Sequence, residues 1–256
     1  MPVTFTAEDG VGVVTLDNPP ANSYDLGVIT ELAAAVDAAI ASDVRVVVLR
    51  SASEKFFSAG ADVKRFLEGD VASNMQMIRS SHALFDRIAA APQVFVAHIA
   101  GHALGGGLEI ALACDVRIAS EGRYKLGTPE VTLGLLPGNG GTQRIARLLG
   151  PGRGLELLLT GRTFSPEEAL SLGVVSALHP ADEAEARVRE LAERFATGPG
   201  VALAAIKRCV HEGLQLSLAD GLALERELIE GLFSTHDALE GMNAFAEKRA
   251  PTFTGA

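Results

Sequence analysis

The chain has 256 residues, of which 48% are hydrophobic, and its formal net charge is -10 at neutral pH. A chain of this length can form one large domain and hide roughly 75% of its unfolded surface. The negative charge argues against nucleic acid or an anionic membrane as a partner, because both favour a basic protein face. The sequence has no apolar run of about 18 residues, so we expect no membrane-spanning helix.

The N-terminus and the cysteines bear on localisation. The first nine residues have neither the basic start and apolar core of a signal peptide nor the arginine-rich pattern of a transit peptide. Cys114 and Cys209 are the only cysteines, and their apolar surroundings favour buried free thiols over a disulfide. We therefore expect a protein of the reducing cytoplasm.

Short β-rich segments alternate with helical segments up to about residue 178. Strands are predicted at residues 11–16, 45–50, 94–99, 115–119 and 174–178, and helices at residues 27–41, 71–90, 107–114, 167–172, 183–196 and 201–212. This alternation is typical of an α/β fold. The remainder of the chain has an almost entirely helical pattern, so we expect a helical C-terminal region.

The first segment with candidate chemistry follows the strand predicted at residues 45–50. It runs Phe-Ser-Ala-Gly-Ala-Asp-Val-Lys at residues 57–64. Its small side chains leave the backbone open, so an amide such as that of Ala61 can reach a ligand.

The second segment combines glycines with two glutamates. The strand predicted at residues 94–99 leads through glycines 105–107 into a helix with Glu109 in its first turn, and Glu130 follows 21 residues later. The first amides of a helix lack intrahelical acceptors and can stabilise an anion without a cation. Two carboxylates that share one water can divide the acid and base roles, because their coupled titration keeps one of them protonated. Taken alone, the segment would equally suit an ordinary strand-to-helix turn.

The third segment is a glycine-rich loop that leads into a helix. It runs Leu-Gly-Leu-Leu-Pro-Gly-Asn-Gly-Gly-Thr-Gln-Arg at residues 133–144. In this order and spacing, the three segments resemble the enoyl-CoA hydratase/isomerase (crotonase) superfamily, and the resemblance covers nearly the whole chain. Because both glutamates are present, the chain is most similar to an enoyl-CoA hydratase.

The resemblance implies a fold and an assembly. The fold is the α/β crotonase spiral, in which turns of two strands and one helix repeat. Residues 1–195 would form the spiral core with the active site, and residues 196–256 a helical region of the same unit for oligomerisation and the CoA pocket. The assembly would be a homotrimer, or a homohexamer built as a dimer of trimers.

The resemblance also implies an activity of fatty acid metabolism, the addition of water to trans-2-enoyl-CoA to give 3-hydroxyacyl-CoA. The amides of Ala61 and Gly106 would form the oxyanion hole. Glu109 would activate the water and Glu130 would deliver a proton to the α-carbon, while the amide of Gly138 helps to position the water. No cofactor is expected, since coenzyme A is part of the substrate.

The CoA contacts follow from the same resemblance. Ala59, Asp62 and Lys64 match the family pattern near the substrate and the nucleotide, and Lys248 matches a basic residue near the C-terminus. Many members also carry a base in the loop after the first strand, whereas residues 17–22 of this chain contain none. One phosphate contact is therefore absent or supplied elsewhere.

Two other functions and a metal site are alternatives to hydration. A double-bond isomerase of the same fold commonly keeps the acid that matches Glu130 and lacks the one that matches Glu109. A non-catalytic, RNA-binding member would need a basic helix, but residues 71–86 carry Arg79 as their only arginine or lysine. His98 and His102 have the spacing of a helical zinc pair but fall at a strand end and a glycine turn, so we expect no metal site.

Overall fold

The computed structural model describes residues 1–256 as alternating strands and helices. The strands are β1 (Val3–Glu8), β2 (Val11–Leu16), β3 (Val46–Ser51), β4 (Phe56–Ser58), β5 (Val94–Ile99), β6 (His102–Leu104), β7 (Val116–Ser120), β8 (Leu126–Gly127) and β9 (Ala177–His179). The helices are α1 (Leu26–Ile40), α2 (Val63–Glu68), α3 (Val71–Ala90), α4 (Gly106–Ala113), α5 (Gly141–Leu149), α6 (Pro151–Thr160), α7 (Pro166–Leu172), α8 (Ala184–Ala196), α9 (Gly200–Gly213), α10 (Leu218–Leu232) and α11 (His236–Glu247). A short 3-10 helix, Pro129–Leu133, follows β8.

The strands form two sheets. The larger has the order β1-β2-β3-β5-β7-β9 and is parallel except for the β1-β2 hairpin, and the smaller is a parallel sheet with the order β4-β6-β8. Each of the pairs β3-β4, β5-β6 and β7-β8 places one strand in each sheet and is followed by a helix. This repeat is the spiral of two strands and one helix that the resemblance implies.

Helices cover both faces of the larger sheet, which explains the uninterrupted apolar runs of β3 and β5. Alternate residues of a strand point to opposite faces. Val47, Leu49 and Phe95 face the main core with α1 and α3, whereas Val46 and Val96 face a second core. The second core is closed by one side of α8, which contributes Val188, Ala192 and Ala196.

A buried ion pair ties helix α9 to the larger sheet. The Nζ of Lys207 lies 2.9 Å from Oδ2 of Asp115, just before β7, and donates to the carbonyl oxygens of Ile88 and Gln93. No helix of the structure combines the length and the apolar character needed to cross a bilayer. Both cysteines are free, but the expectation that both are buried is wrong for Cys209, which is half-buried.

The strand predicted at residues 174–178 is wrong in its position. Helix α7 ends at Gly173 in the left-handed conformation, and the amides of Val174 and Val175 donate back to the carbonyl oxygen of Ala169. The two valines are buried, but as part of a helix-ending turn in which a hydrophobic residue packs after the glycine. The strand itself, β9, begins three residues later than predicted. Strands β1, β4, β6 and β8 were not predicted, and the last three have only two or three residues each.

The smaller sheet brings the three motif segments together. Residues 59–62 follow β4, the glycines before α4 follow β6, and the 3-10 helix with Glu130 follows β8. Because these strands are parallel, their carboxyl ends lie at the same edge of the sheet, which is the usual ligand-binding edge of such sheets.

Candidate active site

The loops that follow β4 and β6 are in contact through glycine. Gly60 has a φ of +87°, and a Cβ built on it would lie 2.7 Å from the carbonyl oxygen of Leu104 and 3.0 Å from the amide nitrogen of Gly106. A side chain here would force the loops apart, and its backbone would be in a conformation that L-residues rarely adopt. The contact places Ala61 beside the start of helix α4.

The amides of Ala61 and Gly106 are directed away from the chain's own acceptors. Residues 24 and 61 form an isolated parallel bridge. In this bridge the amide of Tyr24 donates to Gly60 and the amide of Asp62 donates to Tyr24, which leaves the N–H of Ala61 on the opposite side. Gly106 is the first residue of α4, so its N–H has no intrahelical partner. Two neighbouring donors can therefore bind an oxygen that carries negative charge.

Glu109 lies in the first turn of α4 and is only 1% exposed. Its Oε1 accepts hydrogen bonds from the amides of Asn139 and Gly141, both at 2.7 Å. Burial raises the pKa of Glu109, and the two amide donors and the charge of Arg144 oppose that rise. One oxygen is thus anchored by backbone donors, while Oε2 has no hydrogen-bond partner in the chain.

Glu130 lies in the 3-10 helix and faces the glycine turn before α4. A Cβ built on Gly105 would lie 2.8 Å from its Oε1, and its Oε2 is buried without a hydrogen-bond partner. Burial raises the pKa of Glu130 to about 7; its own backbone N–H opposes the rise, and the negative charge of Glu109 adds to it. Near neutral pH this carboxyl is therefore close to half protonated, as a proton donor requires.

Gly138 lies in the same glycine-rich loop as the two amides that hold Glu109. Its carbonyl oxygen is 2.7 Å from Nε2 of His82, and a Cβ built on it would lie 3.3 Å from Cδ1 of Ile78. Helix α3, which carries both of these side chains, therefore forms a wall of the site at this loop. The amide of Gly138 donates to no acceptor of the chain.

The four residues expected to contact CoA do not lie together: Ala59, Asp62 and Lys64 lie in or next to the loop that follows β4, and Lys248 lies at the end of α11. The amide of Ala59 donates to the carbonyl oxygen of Ala21, and Oδ1 of Asp62 caps helix α2 by accepting from the amide of Lys64. The side chains of Lys64 and Lys248 are exposed, and neither makes an ion pair. Lys64 lies in the first turn of α2, directly after the loop at residues 59–62, whereas Lys248 ends helix α11.

Several residues of the site were not predicted from the sequence. Tyr24 contacts the loops that follow β4 and β6, the amides of Asn139 and Gly141 hold Glu109, and Arg144 donates to the carbonyl oxygen of Asn139. The sequence does contain a signal for the two amides that hold Glu109. It is the loop Pro-Gly-Asn-Gly-Gly at residues 137–141, whose glycines leave the backbone as open as the glycines before α4 do. Tyr24 gave no local signal, since its position follows from pairing with residue 61.

Comparison with known proteins places the chain in a family. Residues 6–256 match the family described as Enoyl-CoA hydratase/isomerase. The chain belongs to the enoyl-CoA hydratase/isomerase family. A probable enoyl-CoA hydratase of Bacillus subtilis strain 168 is 39% identical over 258 residues, which cover 99% of this chain and 98% of that relative. The 2,3-dehydroadipyl-CoA hydratase of Escherichia coli K12 is 35% identical over 95% of this chain and 94% of its own length.

A solved structure supports the same assignment. A crystal structure of an enoyl-CoA hydratase from Bacillus anthracis superposes with a TM-score of 0.95 and 37% identity, covering 100% of both chains. The expected family and the crotonase-type α/β fold are therefore confirmed. The family match includes every segment that carries the candidate site, from Tyr24 to the glycine-rich loop at residues 137–141.

Proposed function

We propose that this protein is an enoyl-CoA hydratase that adds water across the double bond of trans-2-enoyl-CoA to give 3-hydroxyacyl-CoA. The observation that carries the proposal is the pair of carboxylates, the buried Glu109 and the half-buried Glu130, which lie in unequal environments beside two free backbone amides. When the surroundings of two carboxyl groups move their pKa values apart, the two groups are usually the acid and the base of the site.

The amides of Ala61 and Gly106 would bind the thioester oxygen. Attack of water at the β-carbon moves negative charge onto this oxygen in an enolate-like state. Donors already fixed in place stabilise that charge without reorganising, and the loss of one donor typically slows an enzyme about 10²–10³-fold. The partial positive charge at the start of α4 acts in the same direction.

The two glutamates would divide the proton transfers. Glu109 accepts a proton from water through its free Oε2, because its Oε1 is occupied by two amides that favour the charged form. Glu130, whose pKa is about 7, gives its proton to the α-carbon. The hydroxyl adds to the β-carbon and the hydrogen to the α-carbon, and a proton returns from Glu109 to Glu130 before the next turnover.

The test follows the loss of enone absorbance when crotonyl-CoA is mixed with the wild type, Glu109→Gln or Glu130→Gln. We expect the wild type to consume the substrate and both variants to lose at least about 10²-fold in rate, the lower end of general acid–base effects. Glu121→Gln is the control, since Glu121 is exposed and lies outside the site. An inactive wild type that still binds CoA esters would contradict hydration of short acyl chains.

A second assay separates hydration from isomerisation. With a 3-enoyl-CoA substrate, an isomerase needs only one acid and base at Glu130, so Glu109→Gln would remain active. A hydratase loses its main activity with either substitution. Retention of 3-enoyl turnover in Glu109→Gln, together with no hydration by the wild type, would assign the protein to the isomerases of the family.

We also propose that the chain self-associates through its C-terminal helices, as a trimer or a dimer of trimers. Supporting this, α10, the residue that caps its end and α11 expose large apolar side chains that a lone chain leaves in water: Leu218, Leu222, Ile229, Phe233, Leu239, Met242 and Phe245. Apolar patches of this kind usually mark protein interfaces. Sedimentation velocity should give the mass of three or six chains, and a single-chain mass would contradict the proposal.

A further inference from the structure

Tyr24 is a polar residue of the site to which the proposed reaction assigns no role. Its side chain is 1% exposed, and its hydroxyl oxygen accepts a hydrogen bond of 2.7 Å from Nδ2 of Asn139. A Cβ built on Gly106 would overlap this hydroxyl oxygen, so the phenol lies directly on the α-carbon of an oxyanion residue. Only glycine at position 106 permits this approach.

The backbone of Tyr24 holds the other oxyanion loop. Its N–H donates to the carbonyl oxygen of Gly60 at 3.0 Å, and its carbonyl oxygen accepts from Asp62 at 2.8 Å. These two bonds fix the residue between them, Ala61, whose amide is the second oxyanion donor. Tyr24 therefore orients both donors: it fixes Ala61 through its backbone and lies on Gly106 through its ring.

Asn139 extends these contacts to the base. Its backbone N–H donates to Oε1 of Glu109 at 2.7 Å, while its side-chain amide donates to the hydroxyl of Tyr24. A movement of Asn139 would therefore alter a hydrogen bond that stabilises the charged form of Glu109. The Oδ1 of Asn139 is buried without a partner, an arrangement that costs stability.

Stability alone does not explain a phenol at this position. A phenylalanine would fill the same space without a buried hydroxyl that must find partners. Burial raises the pKa of Tyr24 well above its ordinary value, and the charges of Glu109 and Glu130 add to that rise. The group therefore remains a neutral hydroxyl at physiological pH and does not act as a base.

We propose that Tyr24 is a positioning residue of the enoyl site, whose hydroxyl, seated on Gly106 and bonded to Asn139, keeps the Glu109 carboxylate aligned with the oxyanion amides. This inference rests on the proposed function, since the alignment matters only if Glu109 acts on a reacting water. The role is exerted through Asn139 and the two loops rather than by contact with the substrate.

The test compares Tyr24→Phe with Tyr124→Phe in the full chain. Tyr124 is the only other tyrosine, is also buried, and its hydroxyl bonds the carbonyl oxygens of Ile99 and Ser120 away from the glutamates. With crotonyl-CoA as substrate, we expect Tyr24→Phe to lower kcat by about 10²-fold, the effect of a small misplacement of reacting groups, with KM nearly unchanged. Tyr124→Phe should keep the wild-type kcat.

The dependence of kcat/KM on pH distinguishes a positioning role from a purely structural one, because a purely structural role would leave the pH profile unchanged. When the hydroxyl is lost, Asn139 is released and donates less well to Glu109, so the pKa of that carboxyl rises and the acid limb shifts to higher pH. The shift should be absent in Tyr124→Phe. A fall in kcat with an unmoved acid limb would overturn the proposal.

Asn139→Ala removes the other partner of the hydrogen bond between Asn139 and the hydroxyl of Tyr24. It replaces Tyr24→Phe as the test if the melting temperature shows that Tyr24→Phe folds poorly. It should lower kcat to a similar extent, and the double variant should be no slower than the slower single variant, because both remove one link. Full activity of Tyr24→Phe beside an active wild type would overturn this inference alone. A wild type without hydratase activity would overturn the proposed function and this inference together.

Discussion

Asp115 and Glu109 are both carboxylates held inside this protein, but their surroundings differ in kind. Oδ2 of Asp115 is 2.9 Å from Nζ of Lys207 and accepts from the amide of Phe95 at 2.7 Å, and its Oδ1 is 2.9 Å from Nε2 of His211. Glu109 has two amide donors on one oxygen and no partner on the other. The guanidinium of Arg144, whose charge lowers the pKa of Glu109, donates to the carbonyl oxygen of Asn139 instead.

In the proposed reaction, this difference separates a structural carboxylate, Asp115, from a reactive one, Glu109. Asp115 has partners on both oxygens and a buried cation beside it, so its function is to join α9 to the sheet. Glu109 has enough donors to remain ionisable, but burial raises its pKa and its second oxygen has no hydrogen-bond partner in the chain. Backbone amides can thus stabilise a carboxylate inside a protein while the carboxylate remains able to bind a proton.

Glu109→Gln should produce the largest change in activity. The amide keeps the shape of the side chain but cannot accept a proton, so we expect the hydration rate to fall about 10²–10⁴-fold. The melting temperature should stay the same or rise, because a buried charge without a cation is removed. Thermal unfolding measured together with the rate checks both effects. A large loss of stability would show that Glu109, like Asp115, is a structural carboxylate.

Asp115→Asn should produce the opposite pattern. It leaves Lys207 buried without a counter-ion, which typically destabilises a protein by about 3–5 kcal/mol. Rates per folded molecule should remain near those of the wild type, since the carboxylate of Asp115 bonds to Phe95, Lys207 and His211 and to no residue of the site. Urea unfolding followed by circular dichroism measures the loss, and an unchanged midpoint would show that the ion pair does not hold α9 in place.

Gly60→Ala should affect the oxyanion donors. The added Cβ would press on Leu104 and on the amide of Gly106 in a strained backbone conformation, so the two loops must separate. We expect a loss of about 10²–10³-fold in kcat, comparable to the removal of one oxyanion donor. Gly152→Ala is a matched control in a helix, because a Cβ there meets nothing within 4 Å. Equal rates for the two variants would contradict the proposed contact.

The protonation of Glu130 should contribute to the pH dependence of the free energy of unfolding. Its pKa in the folded protein is about 7. The unfolded chain should have a value of about 4.3. The folded protein therefore holds the proton more tightly, so this contribution is fully present below the unfolded pKa and is lost as pH rises through about 7. Glu130→Gln should remove this part of the decline, and an identical pH profile in the variant would contradict the raised pKa.

Lys64→Ala should have the smallest effect. If this exposed lysine meets a phosphate of coenzyme A, its loss removes one screened charge pair worth about 0.2–1 kcal/mol. We therefore expect KM for crotonyl-CoA to rise by no more than about fivefold with kcat unchanged. The salt dependence of KM should weaken in parallel, and a lower kcat would indicate a disturbed oxyanion loop instead.

The sequence was sufficient to name candidate groups that lie within a few residues of one another, and their roles stay predictions. Glu109 follows from one strand-to-helix turn and Ala61 from one open loop, whereas the choice of Gly106 came from the family resemblance. Tyr24 could not be predicted in this way, because its contacts join residues 60, 106 and 139 through long-range packing. The strand error at Val174 has a local cause, since two β-branched residues after a helix-ending glycine have the composition of a strand.

Isotope labelling of the product would test the proposed reaction most directly. The wild type is incubated with crotonyl-CoA in water enriched in both ¹⁸O and deuterium, and the product is analysed by mass spectrometry and proton NMR. We expect one ¹⁸O on the β-carbon and one deuterium on the α-carbon of 3-hydroxybutyryl-CoA. A product that carries deuterium but no ¹⁸O would contradict water addition and would leave Glu109 without the role proposed here.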